Sequence, residues 1–318
     1  MNRPRLRLPV PLCSTTNTAT PCYKRQFFAS VDNIDDVRVR VRGTLSDPGL
    51  ALSYDWTVSI PDYTILHASV EDHSKENRLL SPQLSKKAEG IAGSSVNHGF
   101  TRIMRGVLGD LPGHHEHLTL GIEMARVSLQ VFPLPKDDHE RFAAAAAEVP
   151  PGPSRLARML WERDRTDFGM LSNSCFAYRD ESAELFHDRT VKPFDPTMTS
   201  PDHGQEGFFS RIKKLSIRRL TEVPGFRCDN EMSDTFQEMR IGFEIDYDGV
   251  INRAESTPGR VPFRGICEMP HGSTGKLNGL RLTGSFVASV GDRIGGRNGC
   301  THLFDLATDC LRFFEWRD

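Results

Sequence analysis

Residues with a two-residue period open the chain. From Val37 to Leu45 valine alternates with arginine, and Asp55–Ile60 and Thr64–Val70 carry β-branched residues, so three strands are predicted. Pro61-Asp62-Tyr63 between the last two has turn chemistry, as has Asp246-Tyr247-Asp248-Gly249 between later strands around Phe243 and Ile251. Arg211–Leu220 reads as the strand that opens this second set. A helical period starts at Ser81, where Ser81-Pro82 offers an N-cap with proline at the first helical position. A second helix, Phe100–Leu108, ends at Gly109, and a third runs from about His115 to Phe132, stopped by Pro133 and Pro135. Its late counterpart runs from Thr301 to about Trp316, with Leu303, Leu306, Ala307, Cys310, Leu311 and Phe314 on one stripe.

The two sets read as copies of one unit. Leu45-Ser46-Asp47 answers Met232-Ser233-Asp234, an offset of 234 − 47 = 187, and His117-Leu118 answers His302-Leu303, an offset of 302 − 117 = 185. Thr57–Ile60 with Ile65-Leu66 answers Gly242–Ile245 with Val250-Ile251. A repeat of this length sets the architecture. The expected fold is α+β: two tandem β-β-β-α-α-α units about a pseudo-twofold axis. The expected divisions are a flexible arm (1–22), a first repeat (23–132), a linker with helical and loop inserts (133–207) and a second repeat (208–318). Ala143–Ala147 and Arg155–Arg165 supply the insert's helices.

Composition narrows the function. Forty basic residues against 42 acidic ones give a net charge of −2, which argues against nucleic acid or an anionic membrane as partner and leaves small molecules or proteins. Self-association is left open. Seven scattered cysteines in a chain of this length point to reduced thiols and a cytoplasmic setting. The N-terminal arginines lie among prolines, unlike a signal peptide, and no run of about 18 apolar residues exists. The Gly-x-Gly-x-x-Gly, Walker, Gly-x-Ser-x-Gly and His-Glu-x-x-His patterns are missing, which disfavours a nucleotide cofactor.

Asp234-Thr235, Pro262-Phe263 with Cys267, Leu282-Thr283-Gly284, and above all Gly295-Gly296 with Gly299-Cys300-Thr301-His302-Leu303 form a pattern. On these residues Met239–Phe314 resembles a bacterial family catalogued as domain of unknown function 2889. The family's pattern places a histidine before an acidic residue and methionine, where this chain has Gln237-Glu238-Met239. Strands followed by helices with a cysteine opening the last helix also look like the fold of iron–sulfur scaffold proteins, an analogy that carries no function with it.

Cys300 and His302 follow a glycine at a helix start, where free N–H groups and the helix dipole favour a thiolate or an anion. With Cys267 and Asp234 they could hold zinc or iron; the plain alternative is a packed cysteine and a bonded histidine. His117 closes the cluster His114-His115-Glu116-His117, whose imidazoles suit proton exchange. Asp47 and Asp234 read first as turn caps and second as acids. Tyr178 and Arg179 in the insert could hold a phenol or carboxylate. The expected activity is cofactor-independent acid–base chemistry on a small aromatic or carboxylated molecule, a lyase releasing an aldehyde in bacterial catabolism, with His302, Cys300, Asp234, His117, Tyr178 and Arg179 as its site. The alternative is a zinc or iron–sulfur scaffold without turnover, using Cys267, Cys300 and His302.

Overall fold

The computed structural model describes residues 5–7, 21–60, 62–75, 81–97, 99–131, 136–148, 154–193, 201–312 and 314–317. The chain forms β1 (Arg5–Arg7), β2 (Tyr23–Asp35), β3 (Arg38–Ser46), β4 (Ala51–Ser59) and β5 (Ile65–Asp72). Helices α1 (Gln83–Glu89), α2 (Phe100–Leu108), α3 (His114–Ser128), α4 (Lys136–Ala147), α5 (Arg155–Asp167) and α6 (Ser182–Asp188) follow. Then come β6 (Lys192–Pro193), β7 (Phe209–Arg219), β8 (Gly225–Asp234), β9 (Glu238–Asp246), β10 (Ile251–Pro258) and β11 (Phe263–Arg264). A 3-10 stretch (Met269–Leu277), α7 (Phe286–Ile294), α8 (Thr301–Leu311) and β12 (Glu315–Arg317) complete it. This is an α+β chain with antiparallel strands. It divides into an N-unit, residues 25–143 with 196–213, and a C-unit, residues 1–24, 144–195 and 214–318.

In the N-unit the ladder runs β2-β3-β4-β5, every pair antiparallel. Val39, Val41 and Leu45 of β3 and Leu52, Tyr54, Trp56 and Val58 of β4 share the buried face, while Arg40 on the other face pairs with Asp55. Helix α3 packs over β3 and β4 with Met124 against Gly43, where an added Cβ would stand 2.2 Å from Met124 Sδ and force that side chain to move.

In the C-unit the order is β7-β8-β9-β10. Phe226, Cys228 and Met232 of β8 with Ile241, Phe243 and Ile245 of β9 pack under Leu303, Leu306, Ala307 and Leu311 of α8. β1 pairs with β12 and β6 with β11, so part of the expected arm and part of the insert are built into this unit.

Several expectations change. Each unit has four main strands, because β2 and β8 escaped the period of two. The Ser81 side chain gives no cap: Pro82 flanks α1 without a side-chain bond, and the Leu84 N–H goes to the Ser81 carbonyl at 2.9 Å. Helices α3 and α8 end at Ser128 and Leu311, short of Phe132 and Trp316. Cys228 of β8 and Cys310 of α8 are disulfide-bonded, so the thiols are not all reduced. Among the described residues no helix is long and apolar enough to cross a membrane.

Candidate functional site

The mouth of α8 gathers residues from three parts of the C-unit. After α7 the chain folds back so tightly that a Cβ on Gly299 would stand 1.9 Å from Ile294 O, and the Cys300 N–H bonds that same oxygen at 3.0 Å. Cys300 caps α8, its sulfur accepting from Leu303 N at 3.5 Å. His302 stands in the first turn, half-buried.

The second part is the β8–β9 turn. Asp234 Oδ1 accepts the N–H groups of Phe236 at 2.8 Å and Gln237 at 2.7 Å, which is the turn-capping role. Asp47 does the same in the N-unit, accepting from Gly49 and Leu50 at 2.9 Å each. The turn fixes Gln237, itself 4% exposed, so that its side-chain nitrogen donates to His302 Nε2 at 3.1 Å.

The third part is the insert loop. Phe176 N–H donates to Gly299 O at 2.8 Å, Thr301 Oγ1 to Ser174 O at 3.3 Å, and Arg179 Nη1 to Asn298 Oδ1 at 3.0 Å. Arg179 also lies 3.9 Å from the centre of the Phe176 ring. These contacts clasp the loop against α8 and bring Cys175 beside Cys300. Tyr178 donates its proton to Asp164 Oδ2 at 2.7 Å, and its ring meets Phe263 edge-on at 5.7 Å. Burial raises the Asp164 pKa, against the pull of Arg163 and the Tyr178 hydroxyl, and pushes the Tyr178 phenol well above its ordinary value.

Electrostatics reverses one expectation. The helix start was to favour a Cys300 thiolate, but burial pushes the Cys300 pKa up to about 12, with Cys175 adding to the rise. Cys267 is pushed well above its usual range, first by burial and then by Cys175 and Cys300, and Cys175 rises through burial. Loss of solvation outweighs the dipole, and the three thiols are held neutral. Among the described residues no group of three or more His, Cys, Asp or Glu is arranged to hold a metal ion.

Of the expected set, His302 and Cys300 stand at the α8 mouth, Asp234 is joined to it through Gln237 and Arg179 reaches Asn298 beside it, while the Tyr178 hydroxyl is turned onto Asp164. His117 belongs to the N-unit, fully buried, its Nδ1 2.9 Å from the Tyr54 hydroxyl. The sequence missed Gln237 as a partner of His302, Asp164 under Tyr178, and Cys175 as neighbour of the other thiols. None of these lies at a spacing that announces it.

Residues 221–312 match a family described as Protein of unknown function (DUF2889). The DUF2889 segment is less than a third of the chain, and it contains Asp234, Gln237, Cys267, Cys300 and His302. Cys175, Tyr178 and Arg179 lie outside it, contributed by the insert. No curated protein and no solved structure matches the chain.

Proposed function

We propose that the chain is a lyase that cleaves a carbon–carbon bond in a small aromatic or carboxylated molecule by acid–base chemistry without a cofactor, in the bacterial cytoplasm. The observation that carries this reading is the His302–Gln237 contact, an imidazole held half-buried by an amide locked into the Asp234 turn. In the proposed reaction the Gln237 amide turns so that its oxygen accepts the His302 Nε2–H, and Nδ1 takes the proton of a substrate hydroxyl. The O–H pair becomes the C=O of the released aldehyde, the carbon–carbon pair becomes a C=C, and the neighbouring oxygen leaves with its own pair. His302 then returns the proton to that oxygen, which balances the step. Tyr178 and Arg179 hold the loop that covers the site, and Cys300 stays a thiol.

The test is aldehyde release from a panel of hydroxylated aromatic dimers and acids. His302→Ala should slow release by about 10²–10⁴-fold, the range for removing a general acid–base group. Unchanged rates in that variant, or no aldehyde from any panel member, would overturn the reading.

The electrostatic coupling of Cys267 with Cys300 supports a second reading, a zinc or iron–sulfur scaffold without turnover that would draw Cys267, Cys300 and His302 together on the metal. Metal analysis and a visible spectrum of anaerobically purified protein separate the two: stoichiometric iron with visible bands favours the scaffold, and metal-free protein removes it.

We also propose that both units descend from one duplicated module. Its support is local. Ile65 N–H bonds Ser94 O as Ile251 N–H bonds Leu280 O, Gly93 bonds Ile65 as Gly279 bonds Ile251, and Val96 bonds Tyr63 as Leu282 bonds Gly249. All share the offset 251 − 65 = 186, as do the isolated bridges Thr64–Ser95 and Val250–Arg281 and the helices α2 and α7. Carried into α3 and α8, that offset sets His117 against Leu303 and Glu116 against His302. The aligned N-unit therefore has no equivalent of His302, and the lyase site belongs to the C-unit.

A further inference from the structure

The insert loop and the start of α8 lie side by side. Phe176 N–H donates to Gly299 O at 2.8 Å, and on the other side of Cys175 the Ser174 carbonyl accepts from Thr301 Oγ1 at 3.3 Å. Residue numbers rise along one segment as they fall along the other, 176 with 299 and 174 with 301, so the two run antiparallel. Cys175 is thereby set opposite Cys300. The chain at Gly299 and Cys300 is extended, with φ of −127° and −119°. A turn begins at Cys175, whose carbonyl accepts from Tyr178 N–H at 3.1 Å.

Opposed residues of antiparallel segments stand about 4.5–5.5 Å apart at Cα and send their side chains to one side. A disulfide needs about 4.4–6.8 Å. The two thiols also sense one another: after burial, the charge of Cys175 is the next largest cause that raises the Cys300 pKa. Both residues are half-buried, so neither is sealed from solvent. Further contacts hold the register, with Arg297 Nη2 on both Glu181 carboxylate oxygens at 2.8 Å and Arg179 Nη1 on Asn298 Oδ1 at 3.0 Å. Cys267 is aligned with neither thiol by such bonds: its N–H goes to Phe263 O at 3.0 Å, within its own turn.

We propose that Cys175 and Cys300 are an oxidation site, closed to a disulfide by a low-molecular-weight disulfide such as oxidised glutathione, which stitches the insert loop to the mouth of α8. One protein thiol gives its proton to solvent and its sulfur attacks oxidised glutathione, breaking that S–S bond and releasing one glutathione thiolate, which takes up a proton. The second thiol then loses its proton and attacks the protein sulfur of the mixed disulfide, expelling the second glutathione. Two electrons and two protons pass from the thiol pair to oxidised glutathione, which leaves as two thiols. The Cys228–Cys310 bond already ties the last turn of α8 to β8, so the oxidised chain has this helix held at both ends. The bond withdraws Cys300 from the zinc or iron set. It is read by mass, without substrate, so it stands or falls apart from the lyase reading.

The full chain is incubated with oxidised glutathione at pH 8, where more of each thiol is ionised than at pH 7, then alkylated without reduction and cut with trypsin and an aspartate-specific protease. Cleavage before Asp305 separates Cys300 from Cys310. The expected product joins residues 167–179 to residues 298–304, its mass short of the two peptides by two hydrogen atoms. It should be lost in Cys175→Ser and Cys300→Ser and kept in Cys267→Ser. The first reading comes from the unsubstituted chain, so a variant that fails to fold does not spoil it. Both thiols alkylated after oxidation, glutathione adducts that go no further, or a bond from Cys267 to either thiol in place of this one would overturn the proposal.

Discussion

Acidification should loosen the C-unit through one histidine. His271, in the 3-10 stretch against β10, is 8% exposed; its Nδ1 lies 2.9 Å from Ser256 Oγ, which lies 2.6 Å from Thr274 Oγ1, and Thr274 donates to His271 O. With Thr274 donating to that carbonyl and Ser256 to Thr274, the ring proton sits on Nδ1, and Nε2 is left a bare buried lone pair. Burial lowers the pKa from 6.5 to about 4, against the opposing charge of Glu268. The folded value lies below the unfolded one, so between pH 6.5 and 4 the unfolded chain binds a proton that the folded chain refuses. The stability is whole above pH 6.5 and is lost as the pH falls through that window; by pH 5 the loss is about 2 kcal/mol. Urea unfolding at pH 7 and 5 measures it, in a Trp56→Phe background so that the fluorescence comes from Trp161 and Trp316 of the C-unit. His271→Gln, which cannot titrate, should flatten the pH dependence by that amount. Equal losses in the variant and its parent would refute the reasoning.

Gly299→Ala should destabilise the C-unit by about 2–3 kcal/mol, since the added Cβ meets backbone at Ile294 O and cannot be relieved by a side-chain rotation; an unchanged thermal midpoint would show the loop to be looser than described. Asp47→Ala and Asp234→Ala each strip the acceptor from two turn N–H groups and should each lower stability by about 1–2 kcal/mol. Only the second should also impair aldehyde release, by releasing Gln237 from His302; loss of activity at full stability would instead make Asp234 a reacting acid.

Much of the ladder was open to reading because its strands keep one apolar face. β3, β4 and β7 follow that rule and β9 keeps it at Met239, Ile241, Phe243 and Ile245, whereas in β5 and β10 a register shift sets the buried residues three apart. β2 and β8 do not, and the reason is polar burial. Arg227, Asp229 and Asn230 of β8 are all nearly enclosed: Arg227 bridges Asp229 and Glu255, and Asn230 donates to Leu306 O at 3.0 Å. In β2, Asp32 and Asn33 are held by Arg42 and by the backbone of Asp202. Burial paid for by a distant partner leaves no periodic mark.

The candidate site divides along the same line. The glycine-cysteine-threonine-histidine start of α8 and the Asp234 turn are local devices, set by backbone geometry within a few residues, and both were visible in the order of amino acids. That Gln237 meets His302, that Cys175 comes beside Cys300, and that Tyr178 gives its proton to Asp164 depend on segments far apart in the chain. The thiol protonation belongs with them: a helix start by itself favours a thiolate, and only the packing of the insert loop against α8 removes the water that would have solvated the charge.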